Sequence, residues 1–157
     1  MPAALASVVI LAFWLGAAVL TGAVVAPAAF AVLPTRALAG AVVGRTLPVL
    51  FVSGIVFGIG VAAMNARVGA GRFVTVASAV YAAASAIALL VATRIAITRE
   101  SLGVPLDSLD PSDPRRIAFG RMHGLSVVLM GLGAFAAFAA GVRLIRHLTA
   151  AGTPVRT

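Results

Sequence analysis

The sequence predicts an all-α, polytopic membrane protein: a four-transmembrane-helix bundle with both termini on the same side. Three observations carry this expectation. Four uncharged runs, residues 1–35, 46–66, 73–93 and 122–142, each reach the roughly 20 apolar residues that a helix needs to cross a hydrocarbon core. Apolar residues make up 62% of the 157, charged ones only 10%, and the mean hydropathy is +1.13, well outside the range of water-soluble folds. The charges gather between the runs instead of spreading over a surface. Helices are therefore expected at about 4–27, 46–66, 73–97 and 115–145, with a loop over 98–114, in a single domain covering 1–157.

The first run lacks a basic start, and it far exceeds the roughly 7–15 apolar residues of a signal-peptide core. Ala29-Phe30-Ala31 mimics a cleavage site, but a retained helix is the expectation. A straight helix of the whole run would reach about 50 Å, too long for one simple span. Pro27 removes a backbone hydrogen bond and is expected to kink or end the span near Ala26. Residues 28–44 should then form a bent extension around Phe30 and Pro34 and a short helix near the interface.

In the second run Pro48 falls where a first helical turn tolerates proline. Gly54 and Gly58 are four apart, and Gly120 and Gly124 repeat that spacing at the start of the fourth helix. Small residues so spaced let helix backbones approach closely in lipid, within one chain or in a homo-oligomer through the Gly54/Gly58 face. With 16 glycines in the chain, composition alone accounts for the spacing equally well. The link ARVGAGR between the second and third runs has room for a tight turn only. Between the third and fourth runs, residues 94–121 hold five arginines, all four acids (Glu100, Asp107, Asp110, Asp113) and three prolines. Asp110-Pro-Ser-Asp-Pro114 reads as a turn and a helix start before Arg115.

Counting spans puts the termini and the second link on one side, and the first and third links on the other. Arg45, Pro48, Arg94, Arg99, Arg121, His123 and Ser126 thus meet at one bundle end, with Pro27 and Phe30. Phe119, His123, Ser126 and Met130 follow a four-three-four spacing that places them on one helix face. Two readings stay open: a cluster turned into the bundle, where lipid offers polar groups no partner, or side chains at headgroup depth satisfied by water and phosphate. Orientation is also open, since the seven arginines of one side face five on the other (Arg67, Arg72, Arg143, Arg146, Arg156) plus the amino terminus.

All 12 basic residues are arginine, giving a net charge of +8. They flank the spans without forming a basic stripe interleaved with aromatics, so the lipid bilayer, and no nucleic acid, is the expected partner. Absence of cysteine excludes disulfides, thiolate metal sites and cysteine nucleophiles. No carboxylate lies inside a run, which weighs against a proton-coupled carrier. Ser126 and His123 have no orienting acid, so no enzyme activity is expected. Haem held by His123 is the sharpest metal reading. His147, though, lies 24 residues further along the same chain segment, about 36 Å away in a helix, and cannot share the iron. No cofactor is expected.

The stretch AFGRMHGLSVVL resembles the F-x-R-x-H-G-L-S signature at the start of the last helix in proteins similar to the eukaryotic transmembrane protein 205 and their bacterial relatives. FWLGAAVLTGAVVAPAAFAVLPTRALAG, RTLPVLF and the Arg94/Arg99 pair agree with that family, and the resemblance covers residues 10 to about 145. Family members often carry Asn where this chain has Met130, and Pro where it has Thr98. The resemblance implies a four-helix, multi-pass domain of a bacterial cell membrane, with the eukaryotic member associated with drug resistance. It leaves three functional readings. One is a non-enzymatic protein whose His/Arg end binds a small anion, a lipid headgroup or a small solute, in transport or resistance. Another is a structural or assembly module whose polar cluster only packs the bundle. The third is a haem- or metal-binding membrane protein.

Overall fold

The computed structural model describes residues 1–151, so Arg156, counted above on the terminal side, lies outside the described residues. Four helices follow one another up and down: α1 (Pro2–Val32), α2 (Arg36–Val68), α3 (Arg72–Ser101) and α4 (Pro114–Ala151), each long and apolar enough to cross a membrane. Each packs on its neighbours in sequence, and α1 closes the ring against α4. Among the described residues there is no strand. The outside is as apolar as the inside: Leu5, Val9 and Phe13 on α1, Val52 and Val56 on α2, and Phe135 and Phe138 on α4 are all exposed. A soluble monomer does not carry apolar surface on this scale, whereas hydrocarbon solvates it at no cost.

The structure corrects the expectation for the first helix, which does not end at Pro27. Residues Leu20–Val25 form a π-helical stretch in which the Ala26 amide donates to the Thr21 carbonyl, one residue further back than in an α-helix. A proline ring collides with the carbonyl four residues before it and offers no N–H. Widened turns immediately upstream relieve that collision, so the helix carries on to Val32. Leu33 is extended, Pro34 follows, and the Thr35 hydroxyl then accepts from the Leu38 amide (3.2 Å) to start α2. The bent extension and short interfacial helix expected over residues 28–44 are thus the end of α1 and the first turns of α2. Pro48 consequently sits inside a continuous helix and not in its first turn.

The interior is built around Trp14 and Tyr81, whose rings meet edge to face with centroids 4.5 Å apart. The Trp14 indole N–H donates to the Leu50 carbonyl of α2 at 2.9 Å. Gly54 and Gly58 face α3. A Cβ on Gly58 would come within 2.8–3.0 Å of Ala82 and the Ser78 carbonyl, and one on Gly54 would strike Ser85 and approach the Trp14 indole nitrogen at 3.2 Å. This glycine face is consumed inside one chain and is not open to a second copy. Gly120 and Gly124 are exposed with nothing near them, so their spacing serves no packing here. At the second link the Asn65 amide donates to the Gly71 carbonyl and the Thr75 hydroxyl, while its oxygen accepts from the Ala70 amide. Gly69 and Gly71 take positive φ there, as so short a turn requires.

The helices overrun their uncharged runs at one end. With 33 residues, α2 is about 50 Å long, yet its uncharged part begins at Thr46. Its first ten residues, about 15 Å of helix, precede that run, and α3 from Arg94 and α4 up to Arg121 extend past their own runs at the same end. This end holds the seven arginines of the first and third links and all four acids.

Candidate functional site

Helix rotation decides which of the arginines turns inward. The buried stripe of α3 runs Val74, Ser78, Tyr81, Ser85, Ala88, and steps of three and four carry it through Ala92 and Ile95 to Arg99. Arg99 is half-buried. Its guanidinium fills the notch left by the missing side chain of Gly40 on α2: a Cβ there would collide with both terminal nitrogens and the central carbon. On its other side lies the Phe119 ring of α4, 5.6 Å from guanidinium carbon to ring centroid. Three helices thus hold one cation midway along the arginine-rich end. Among the described residues no carboxylate, carbonyl or hydroxyl accepts a hydrogen bond from it. Gly40 and its neighbour Ala39 are buried in the second turn of α2, near the positive end of that helix dipole.

The other arginines are not brought to this point. Arg94, five residues before Arg99, is turned roughly 140° around α3 and is exposed. A similar angle separates Arg45 from Gly40 on α2, and Arg45 too is exposed. Arg121 is exposed as well, and none of the three has a hydrogen-bond or ion-pair partner among the described residues. On α4 the inward stripe runs Phe119, Met122, Ser126, Leu129, Gly133, which leaves His123 at its edge. His123 is exposed while Ser126 is buried at 6% exposure, so the structure separates the two. Met130 brings its methyl group over Gly22 in the π-helical stretch of α1, within 3.3 Å of where a Cβ would stand. Pro27 and Phe30 lie exposed at the far end of α1. Gly40 carries no sequence mark of its role, because one small residue in an Ala- and Gly-rich segment does not announce its partner.

The third link is tied down locally. Arg115 donates to both carboxylate oxygens of Asp113, at 3.1 and 2.7 Å, and Asp113 also accepts from the Arg115 amide. These bonds bring the Asp113 carboxyl down to about 2. Asp110 is likewise lowered, by the hydroxyl and amide of Ser112. Arg116 donates to the Leu109 carbonyl at 2.7 Å, which leaves Arg99 as the inward cation without such an acceptor. No group of three or more His, Cys, Asp or Glu that could hold a metal lies together among the described residues.

Fold and sequence define a multi-pass membrane protein built as a four-helix bundle. The chain belongs to the family described as a domain of unknown function (DUF4149), whose model matches residues 9–100. That match spans most of α1, the whole of α2 and all but the last residue of α3, and it includes Gly40, Arg45, Arg94 and Arg99. It stops before FGRMHGLS. No curated protein and no solved structure matches the chain.

Proposed function

We propose that this is a non-enzymatic protein of a bacterial cell membrane that binds a small anion, phosphate or carboxylate in character, at its arginine-rich end. The reading rests on one observation: the Arg99 guanidinium is docked between Gly40 and Phe119 with its donors uncommitted. Docking removes most of the conformational freedom that an arginine loses on binding, and the planar fork suits two oxygens of one anion. Arg36 stands one turn before Gly40 on the same face of α2 and adds a second positive charge. A free anion and a lipid headgroup share this chemistry. A role in transport or resistance, and kinship with the transmembrane protein 205 group, are the finer parts of the same proposal.

The test compares thermal midpoints of the detergent-solubilised full chain with inorganic phosphate, with phosphatidylglycerol and with phosphatidylcholine. Phosphate at 100 times its dissociation constant stabilises a one-site protein by about 2.7 kcal/mol. Arg99→Gln should lose the phosphate-dependent rise, whether or not it lowers the starting midpoint. A rise with phosphatidylglycerol alone assigns the site to a headgroup. If Arg99→Gln lowers the starting midpoint yet every ligand-dependent rise survives, the cation only packs the bundle against Phe119. That second reading is favoured by the cation–π geometry itself.

A further inference from the structure

The face of α2 that turns away from Gly40 carries a different device. Arg45, Val49, Val52 and Val56 repeat at four, three and four, so they line one face, and Arg45, Val49, Val52 and Val56 are all exposed. Beside them a hollow of about 300 Å³ opens between α1 and α2, with Thr21 and Thr46 at its mouth and Trp14 and Phe57 further in. It continues over the valines as a broader apolar depression that shares Val49, Ser53 and Phe57 with it. The hydroxyls of Thr46 and Ser53 are spent on the Val43 and Leu50 carbonyls of their own helix, which keeps the wall apolar. The Thr21 hydroxyl has no partner among the described residues.

We infer that this trough holds one acyl chain of an anionic phospholipid whose phosphate sits on Arg45. Length supports the assignment. From Arg45 to Phe57 the helix rises about 18 Å, a little over the ~15 Å half-thickness of a hydrocarbon core. The uncharged run of α2, residues 46–66, places Arg45 at the headgroup level and Val56 at the middle of the bilayer. Charge supports it too: Arg45 is an exposed cation with no partner among the described residues, one residue before Thr46 and one turn before Val49, which line the hollow. Thr21 at the mouth can donate to an ester carbonyl. The site is separate from Arg99 and does not rest on the proposal made for it.

Trp14 lines the hollow and is the only tryptophan in the chain, so its fluorescence reports occupancy without any substitution. The full chain is reconstituted in phosphatidylcholine vesicles that contain either phosphatidylglycerol or phosphatidylcholine brominated midway along the acyl chain. Brominated phosphatidylglycerol should quench Trp14 at a mole fraction about fivefold lower than the brominated zwitterionic lipid, as one basic residue at an anionic surface implies. Arg45→Gln should abolish that preference, Val49→Phe should weaken quenching by both lipids, and Arg146→Gln, an exposed arginine at the opposite end of the bundle, should change neither. Equal quenching of the wild-type protein by the two lipids would overturn the proposal, and so would a preference that survives Arg45→Gln.

Discussion

Arg99 depends on a residue that contributes no side chain. Adding one methyl group at Gly40 puts a carbon where the guanidinium now lies, so Gly40→Ala must push Arg99 out of its notch. The clashing atoms are the far end of a flexible side chain that can swing aside, so the expected outcome is loss of anion binding with little change in the thermal midpoint. Trp14→Phe tests the main interior hydrogen bond. The Leu50 carbonyl also accepts from the Ser53 hydroxyl, so the substitution does not orphan it. A loss near 1 kcal/mol is expected in reversible unfolding, in keeping with interhelical hydrogen bonds in lipid. At the third link, Asp113 titrates near 2 because Arg115 donates to it, whereas an unfolded aspartate titrates near ~3.9. A folded carboxyl with a lowered pKa contributes its stability above the unfolded value, and that contribution is lost as pH falls from about 4 toward 2. A carboxyl-carbon titration by NMR should place the Asp113 midpoint near 2, and Arg115→Gln should move it upward.

At the scale of elements, the two Gly-x-x-x-Gly pairs behave in opposite ways. Gly58→Val would drive side-chain carbons into the α3 backbone at Ala82 and Ser78, and α2 and α3 would have to separate. Its expected cost is about 2 kcal/mol or more. Gly124→Ala meets open space and should be neutral or slightly stabilising through helix propensity, read in the same unfolding assay. The sequence could not tell these pairs apart, since both have the same spacing and both lie on predicted membrane helices. What differs is the neighbour each pair faces, and that is a property of helix rotation. The same limit applies to His123 and Arg99. Spacing places His123 within about 60° of Ser126, but the inward stripe of α4 passes through Met122 on the other side. A rotation that small decides burial, and residue spacing on one helix leaves it undetermined. The π-helical turns before Pro27 were equally illegible, because proline can end, kink or be absorbed by a helix according to the geometry upstream.

Over the whole molecule, four spans, their order and the shared side of the termini were legible from hydropathy and charge, because lipid accepts only helices whose backbone is satisfied internally. The helix ends were not. The uncharged runs stop at the arginines, while α2, α3 and α4 continue as helix past them, and that overrun builds the arginine-rich end. There, helix rotation divides the chemistry between an inward cation at Arg99 and an outward one at Arg45. Arg99, docked between Gly40 and Phe119, is the proposed anion-binding group. Calorimetric titration of inorganic phosphate into the purified full chain and into its Arg99→Gln variant tests that role most directly. Saturable, one-site binding to the wild-type protein is expected, with at least a tenfold loss in the variant, as truncation of a charge-assisted hydrogen-bond donor implies. Binding of equal strength in both proteins would contradict it.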